Sequence, residues 1–269
     1  MENQDQKKFP LQRTEAEFRK SELVDDKGHY NVEYDLILTL RKSTDKSSKT
    51  DLDFDGRVHV KFDYYGKQDK DLFLNFFGNV TSVVINGTKV ETVYKERRVF
   101  IDHTKLKKGT SNDVVILFHA KYDKGGVGLH HFIDPMDKKE YLYTQFEPYE
   151  CHLVFPVFDQ PDIKAKLTLT LIGPEEWVLL SNEFEKWNNK LDKSSTHITE
   201  LFKSKQLTDD EISHLVDEVV SKNYNVCPFN TTAKISSYLY AICAGPYHCI
   251  NDPNNYKVPL RVYMRESLK

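Results

Sequence analysis

The strongest constraint on this chain is apolar side chains recurring at every second position, in separate runs across its first two-thirds. Val32, Tyr34, Leu36, Leu38 and Leu40 form one run, and Val58, Val60, Phe62 and Tyr64 another. Val114, Ile116, Phe118, Ala120 and Tyr122 form a third, and Leu167, Leu169 and Leu171 a fourth. Successive side chains of a strand point to opposite faces, so each run predicts a half-buried β-strand. Asn86-Gly87 stands between Ile85 and Thr88, and both residues tolerate φ > 0, which predicts a tight hairpin. Gly173-Pro174 separates the strand ending near Ile172 from another around Trp177 to Leu180, and Val258, Leu260 and Val262 predict one more. Helical signals are few. Glu15 to Val24 predicts a short leading helix. Thr208 to Lys222 predicts a longer one, with Thr208 and Glu211 as a capping box and Ile212, Leu215, Val216 and Val219 as its apolar stripe.

Short strands divided by turn residues predict a mainly β fold, an antiparallel sandwich or saddle-shaped sheet pair with a short helical insertion. The sandwich is expected over residues 31–269, after a polar lead segment, 1–30. The polar stretch from 183 to 227 reads as an insertion at one end of the sandwich.

Composition narrows the function. Against 38 Lys+Arg stand 41 Asp+Glu, a formal charge of −3, so no polyanion is attracted without regard to sequence and nucleic acid is not an expected partner. Aromatic residues make up 12% of the 269, which argues against disorder. No apolar run approaches the roughly 20 residues that cross a bilayer, so membrane insertion is not expected. Met1 to Lys20 is polar and lysine-rich, unlike a secretory signal. The four cysteines (Cys151, Cys227, Cys243 and Cys249) form no CxxC pair and read as reduced thiols. The expected compartment is the cytoplasm, and without a signal peptide the sequons at Asn79, Asn86 and Asn230 read as chance matches.

Catalytic constellations are missing. No His is followed by Glu, so the HExxH zinc helix is absent, and His130-His131 on an extended chain would point to opposite faces. No metal or cofactor is therefore expected on this chain. There is no GxSxG elbow, and Gly125-Gly126-Val127-Gly128 lacks the Lys-Ser/Thr of a phosphate loop, reading instead as a hairpin connection. Asp159 and Asp162 flank Pro161 and read as a helix-start cap. One stretch stands apart, Tyr141 to Pro148, where Gln145 and Glu147 lie two apart and share a face if extended. A carboxylate beside an amide carbonyl suits an ammonium group; a solvated strand face would look the same.

The run from Tyr143 to Leu171 resembles the signature of the zinc aminopeptidases related to aminopeptidase N. That family reads T-Q-x-E-P-x-x-A-R-x-x-F-P-C-x-D-E-P-x-x-K-A-x-F, and this chain supplies Thr144, Gln145, Glu147, Pro148, Phe155, Pro156, Asp159, Pro161, Lys164 and Ala165 in register. A second match runs through Phe229, Thr232, Ser236, Tyr238, Leu239, Ala241 and Gly245, and a third covers Val258 to Arg265. The Phe54-x-Gly56 strand and the loop before Tyr141 also fit. There are departures: Cys151-His152 replaces the family's Ala-Arg, Val157 its Cys, and Gln160 its acidic residue, so a structural Arg contact is missing or replaced.

The resemblance implies the saddle-shaped N-terminal domain of such an enzyme, leaning over a thermolysin-like catalytic domain. Gln145 and Glu147 match the pair lining the first substrate pocket, where the Glu binds the free α-amine. The zinc helix, a Gly-Ala-Met-rich strand and an oxyanion-stabilising Tyr belong to the catalytic domain, absent from these 269 residues. Zinc there activates a water with a Glu as general base. The expected partners are a peptide N-terminus and a catalytic metalloprotease domain, in the same or a separate chain, with a larger assembly as a further candidate. Alone the chain is expected to hydrolyse nothing and to hold no catalytic residue. The alternative is a scaffold subunit derived from such a domain.

Overall fold

A computed structural model of the protein describes residues 10–43, 52–187, 196–252, 257–258 and 260–269. The first elements are α1 (Arg13–Leu23), β1 (Val32–Thr39), β2 (Asp53–Tyr64), β3 (Leu72–Asn75), β4 (Asn79–Ile85) and β5 (Thr88–Val90). Then come β6 (Val93–Lys95), β7 (Arg98–Ile101), β8 (Thr110–Lys121), β9 (Gly128–Ile133) and β10 (Glu140–Gln145). The last are β11 (Lys166–Pro174), β12 (Val178–Ser181), α2 (Thr196–Ser204), α3 (Asp209–Lys222), β13 (Tyr224–Pro228), β14 (Ile242–Gly245), β15 (Tyr247–Asn251) and β16 (Arg261–Arg265).

The four alternating runs become β1, β2, β8 and β11 of a seven-stranded sheet ordered β13-β11-β1-β2-β8-β4-β5. Register places Leu169, Leu36, Val58, Ile116 and Val83 side by side across five of its strands, all buried. This row is the inner face of the sandwich, and period-2 burial is its cause. One pairing departs from the antiparallel expectation: β1 runs parallel to β11. Gly56 stands directly opposite Phe118, where a Cβ would lie 2.1 Å from the ring, so only glycine lets the two strands pair. The Asn86-Gly87 turn closes β4 to β5 with φ of 49° and 80°, both positive as such a hairpin requires.

Against that inner face packs a four-stranded sheet ordered β12-β14-β10-β9, and Leu142 and Ala244 join Leu36, Phe118 and Phe155 in one core. A three-stranded sheet, β3-β7-β6, and the β15-β16 ribbon complete the molecule. The lead segment contributes to the core as well. Helix α1 buries Phe18 and Leu23, bonds Arg19 to Asn75 at 2.5 Å and pairs Glu15 with Arg98 at 2.7 Å. Burial lowers the pKa of Arg19 to about 10.

The polar stretch differs from expectation in two ways. It contains a second helix, α2, and its helices cover a face of the seven-stranded sheet rather than one end. Ile198, Phe202, Leu207, Ile212 and Val219 pack on Ile37, Ile172, Tyr224 and Val226, the residues of opposite parity to the inner row. The capping box is formed, with Thr208 accepting from Glu211 N and Glu211 accepting from Thr208 N. Arg41 ties α3 to the sheet, bonding Glu218 at 2.9 Å and Asp55 at 2.5 Å. The last strand begins at Arg261, later than the Val258 periodicity predicts, and Val258, Leu260 and Val262 are exposed.

Candidate functional site

Strand β10 lies between β9 and β14, with Tyr143 opposite His130 on one side and Cys243 on the other. Tyr141 and Leu142 are both buried, and alternation sets in after them. Leu142 and Phe146 point into the core at 0% and 1% exposure, whereas Tyr143, Gln145 and Glu147 are exposed. Gln145 ends the strand, opposite Gly128, and Glu147 follows two residues later. Among the described residues neither side chain has a hydrogen-bond or ion-pair partner. A cleft of about 250 Å³ lies elsewhere, between Phe184, Phe229, Leu260 and Tyr263, and includes neither residue.

Tyr143 was not singled out by sequence reasoning, although its parity with Gln145 and Glu147 was the available signal. Its ring meets that of His130 edge-on, with centroids 5.0 Å apart. The adjacent histidines do point to opposite faces. His131 is buried and bonds Glu140 at 3.1 Å, while His130 Nδ1 accepts the Gly126 N–H at 3.1 Å. The glycine-rich connection is held by Asp123, whose carboxylate accepts the N–H groups of Gly125 and Val127. Burial opposes ionisation of Glu140, but hydrogen bonds from His131 and Ser43 outweigh it and hold the carboxyl below its ordinary range.

The second half of the signature is structural. Asp159 is fully buried and caps no helix; Pro161 begins a single turn, after which Ala165 bridges to Ile235 and β11 starts. One Asp159 oxygen accepts from the N–H and Nδ1 of His152 at 3.0 and 2.9 Å, the other from Ser237 at 2.7 Å. His152, which stands where the family pattern has an Arg, thus bonds Asp159, and Tyr149 lies over its ring at 4.6 Å. Asp162 instead receives Lys20 at 2.7 Å and Gln160 at 2.9 Å.

For metal, one group of potential ligands occurs among the described residues: Asp71, Asp102 and His103, with donor atoms within 4.8 Å of one another. These atoms serve the local chain. Asp71 accepts from His103 N at 3.1 Å and meets its Nδ1 at 2.8 Å, and Asp102 accepts from Thr104. No described helix is long and apolar enough to cross a membrane.

Comparison with known proteins decides the family. The description "Peptidase M1 N-terminal domain" matches residues 26–208. The chain belongs to this family. Among curated proteins this M1 N-terminal domain is 29% identical over 264 residues to aminopeptidase N of Streptomyces lividans, covering 96% of this chain and 25% of that protein. It is 29% identical over 222 residues to aminopeptidase 2 of Candida albicans, covering 81% and 17% respectively. To putative aminopeptidase-2 of Caenorhabditis elegans it is 32% identical over 209 residues, covering 72% and 10%. The M1 domain thus spans a quarter or less of the length of these relatives.

Proposed function

We propose that this M1 N-terminal domain is the substrate-recognition part of a cytoplasmic zinc aminopeptidase, anchoring the free α-amine of a peptide through Glu147 with Gln145 beside it. The supporting observation is that both side chains are exposed and, among the described residues, unpartnered, with Gln145 at the end of β10 and Glu147 two residues beyond it in a turn. An ammonium group brings charge to the carboxylate and a donor to the amide carbonyl. A blocked N-terminus has neither charge nor three N–H donors, so the site selects chain ends.

Among the described residues there is no fitting zinc set. Asp71, Asp102 and His103 lack a second histidine and are engaged locally, so we place the zinc in a separate catalytic domain and route no chemistry through this one. Without that domain the chain hydrolyses nothing. Four free thiols suit a reducing compartment. On sequence alone, a scaffold reading is favoured by the departures from the family pattern at Cys151-His152 and Gln160. Since His152 satisfies Asp159, the first of these no longer favours it.

The test supplies the catalytic domain, in the same chain or as a second one, and measures turnover of a leucyl substrate. Glu147→Ala is expected to lower kcat/KM by about 30-fold or more, as losing a charged contact of about 2 kcal/mol does. Unchanged kinetics would remove Glu147 from the site.

A further inference from the structure

Gln145 shares its face of β10 with Tyr143, a residue 39% exposed, and Glu147 follows in the turn beyond the strand. The position of the Tyr143 ring is not a matter of chance packing. Asp123 fixes the Gly125–Val127 connection, the Gly126 N–H fixes His130 through Nδ1, and His130 braces the Tyr143 ring at 5.0 Å and 61°. An acceptor role at Nδ1 puts the ring proton of His130 on Nε2. The same row of the sheet continues through Cys243 and Leu180, both half-buried. The result is an exposed aromatic ring braced edge-on from the neighbouring strand, one strand repeat from Gln145. Each strand residue advances about 3.3 Å, so Tyr143 lies roughly 7 Å from Gln145 along the strand. A long side chain on a residue whose amine rests at Glu147 would lie back along that line.

We infer that Tyr143, braced by His130, is the platform that receives the first side chain of the bound peptide and favours large apolar or aromatic residues there. The inference rests on Glu147 being the amine anchor, and Tyr143 is a specificity determinant rather than a catalytic residue. Aromatic rings contribute both area and edge-to-face attraction, whereas an alanine methyl reaches neither ring. The glycine-rich connection thereby acquires a role as the brace of a binding surface.

Amide chemical-shift titrations of the full chain separate the two readings. The probes are phenylalanyl-glycine amide, alanyl-glycine amide and N-acetyl-phenylalanyl-glycine amide. Wild-type protein is expected to bind the phenylalanyl peptide threefold to tenfold more tightly than the alanyl one, about the worth of one aromatic contact, with shifts at Tyr143 and His130. Tyr143→Ala brings that ratio close to one but keeps the preference for a free over an acetylated amine, and Tyr143→Phe restores the ratio. Glu147→Gln does the reverse, abolishing the amine preference and keeping the aromatic one. A phenylalanyl-to-alanyl ratio that survives Tyr143→Ala, or a wild-type protein without that ratio or without shifts at Tyr143, overturns the inference. Equal binding of free and acetylated peptides with the aromatic ratio intact overturns the amine anchor instead.

Discussion

Two acids of the same signature, Glu147 and Asp159, lie twelve positions apart and have opposite surroundings. Asp159 is fully buried and meets three donors, from His152 and Ser237. Glu147 is exposed and, among the described residues, meets none. A buried carboxylate must be matched by hydrogen bonds, and its matching is a structural commitment. An exposed, unmatched one makes no contribution to the fold that would explain its presence. A single motif therefore joins a hinge that builds the domain to a side chain that can serve a ligand, and burial tells the two apart where sequence spacing does not.

The sharpest way to break this contrast is Asp159→Ala. It leaves the His152 ring N–H, the His152 backbone N–H and the Ser237 hydroxyl without their acceptor inside the core. The expected loss is about 3–5 kcal/mol, read as a lower urea midpoint. If stability held, the turn around Pro161 would have to be tolerant, and the division between the two acids would lose its physical basis.

Much of this could be read beforehand, for reasons visible in particular residues. The rows through Leu36, Val58 and Ile116 were legible because one sheet face is core and the period is two. Helix α3 was legible because its cap is local, four residues from Thr208 to Glu211. Three features were not. The parallel β1–β11 pairing links residues more than 130 positions apart and leaves no local trace. Ile37 and Ile172 sit at the "wrong" parity of their strands, and only the packing of α2 and α3 explains why. The Asp159 turn looked like a helix cap because Asp-x-Pro is shared by both, and the choice was made by Ala165 pairing with Ile235. At the site itself, Gln145 ends β10 whereas Glu147 lies in a turn beyond it, where parity no longer applies, and the bracing of Tyr143 depends on a ring contact from another strand.

A second test of smaller expected size uses protons in place of mutations. Glu140, bonded by His131 and Ser43, has its pKa held below the ordinary value despite burial, and Asp55 is held down in the same sense by His119 and Arg41 against its own desolvation. A carboxyl with a depressed folded-state pKa binds its proton more readily when unfolded. The stability it contributes is thus complete above the ordinary carboxylate value of about 4 and is lost as pH falls through the folded value. The domain should accordingly keep its urea midpoint between pH 7 and 5 and lose it progressively below about 4. Glu140→Gln should flatten part of that acid loss. An acid loss identical to the wild type in Glu140→Gln would mean that the His131 and Ser43 bonds do not hold the Glu140 carboxyl down.

The smallest expected effect is the most informative for the site. Glu147→Ala removes an exposed carboxylate next to Phe146, which remains in the core at 1% exposure and keeps the strand end in place. Surface changes of this kind stay within about 0.5 kcal/mol, so the urea midpoint should match the wild type. A loss of more than about 1 kcal/mol would show that Glu147 supports the fold, and lost turnover in the same variant could then be explained by misfolding alone. Only a variant that is unchanged in stability and impaired towards free amines separates recognition from architecture. Asp159→Ala should differ from it in stability alone, with binding failing there because the surface that carries Gln145 is no longer built.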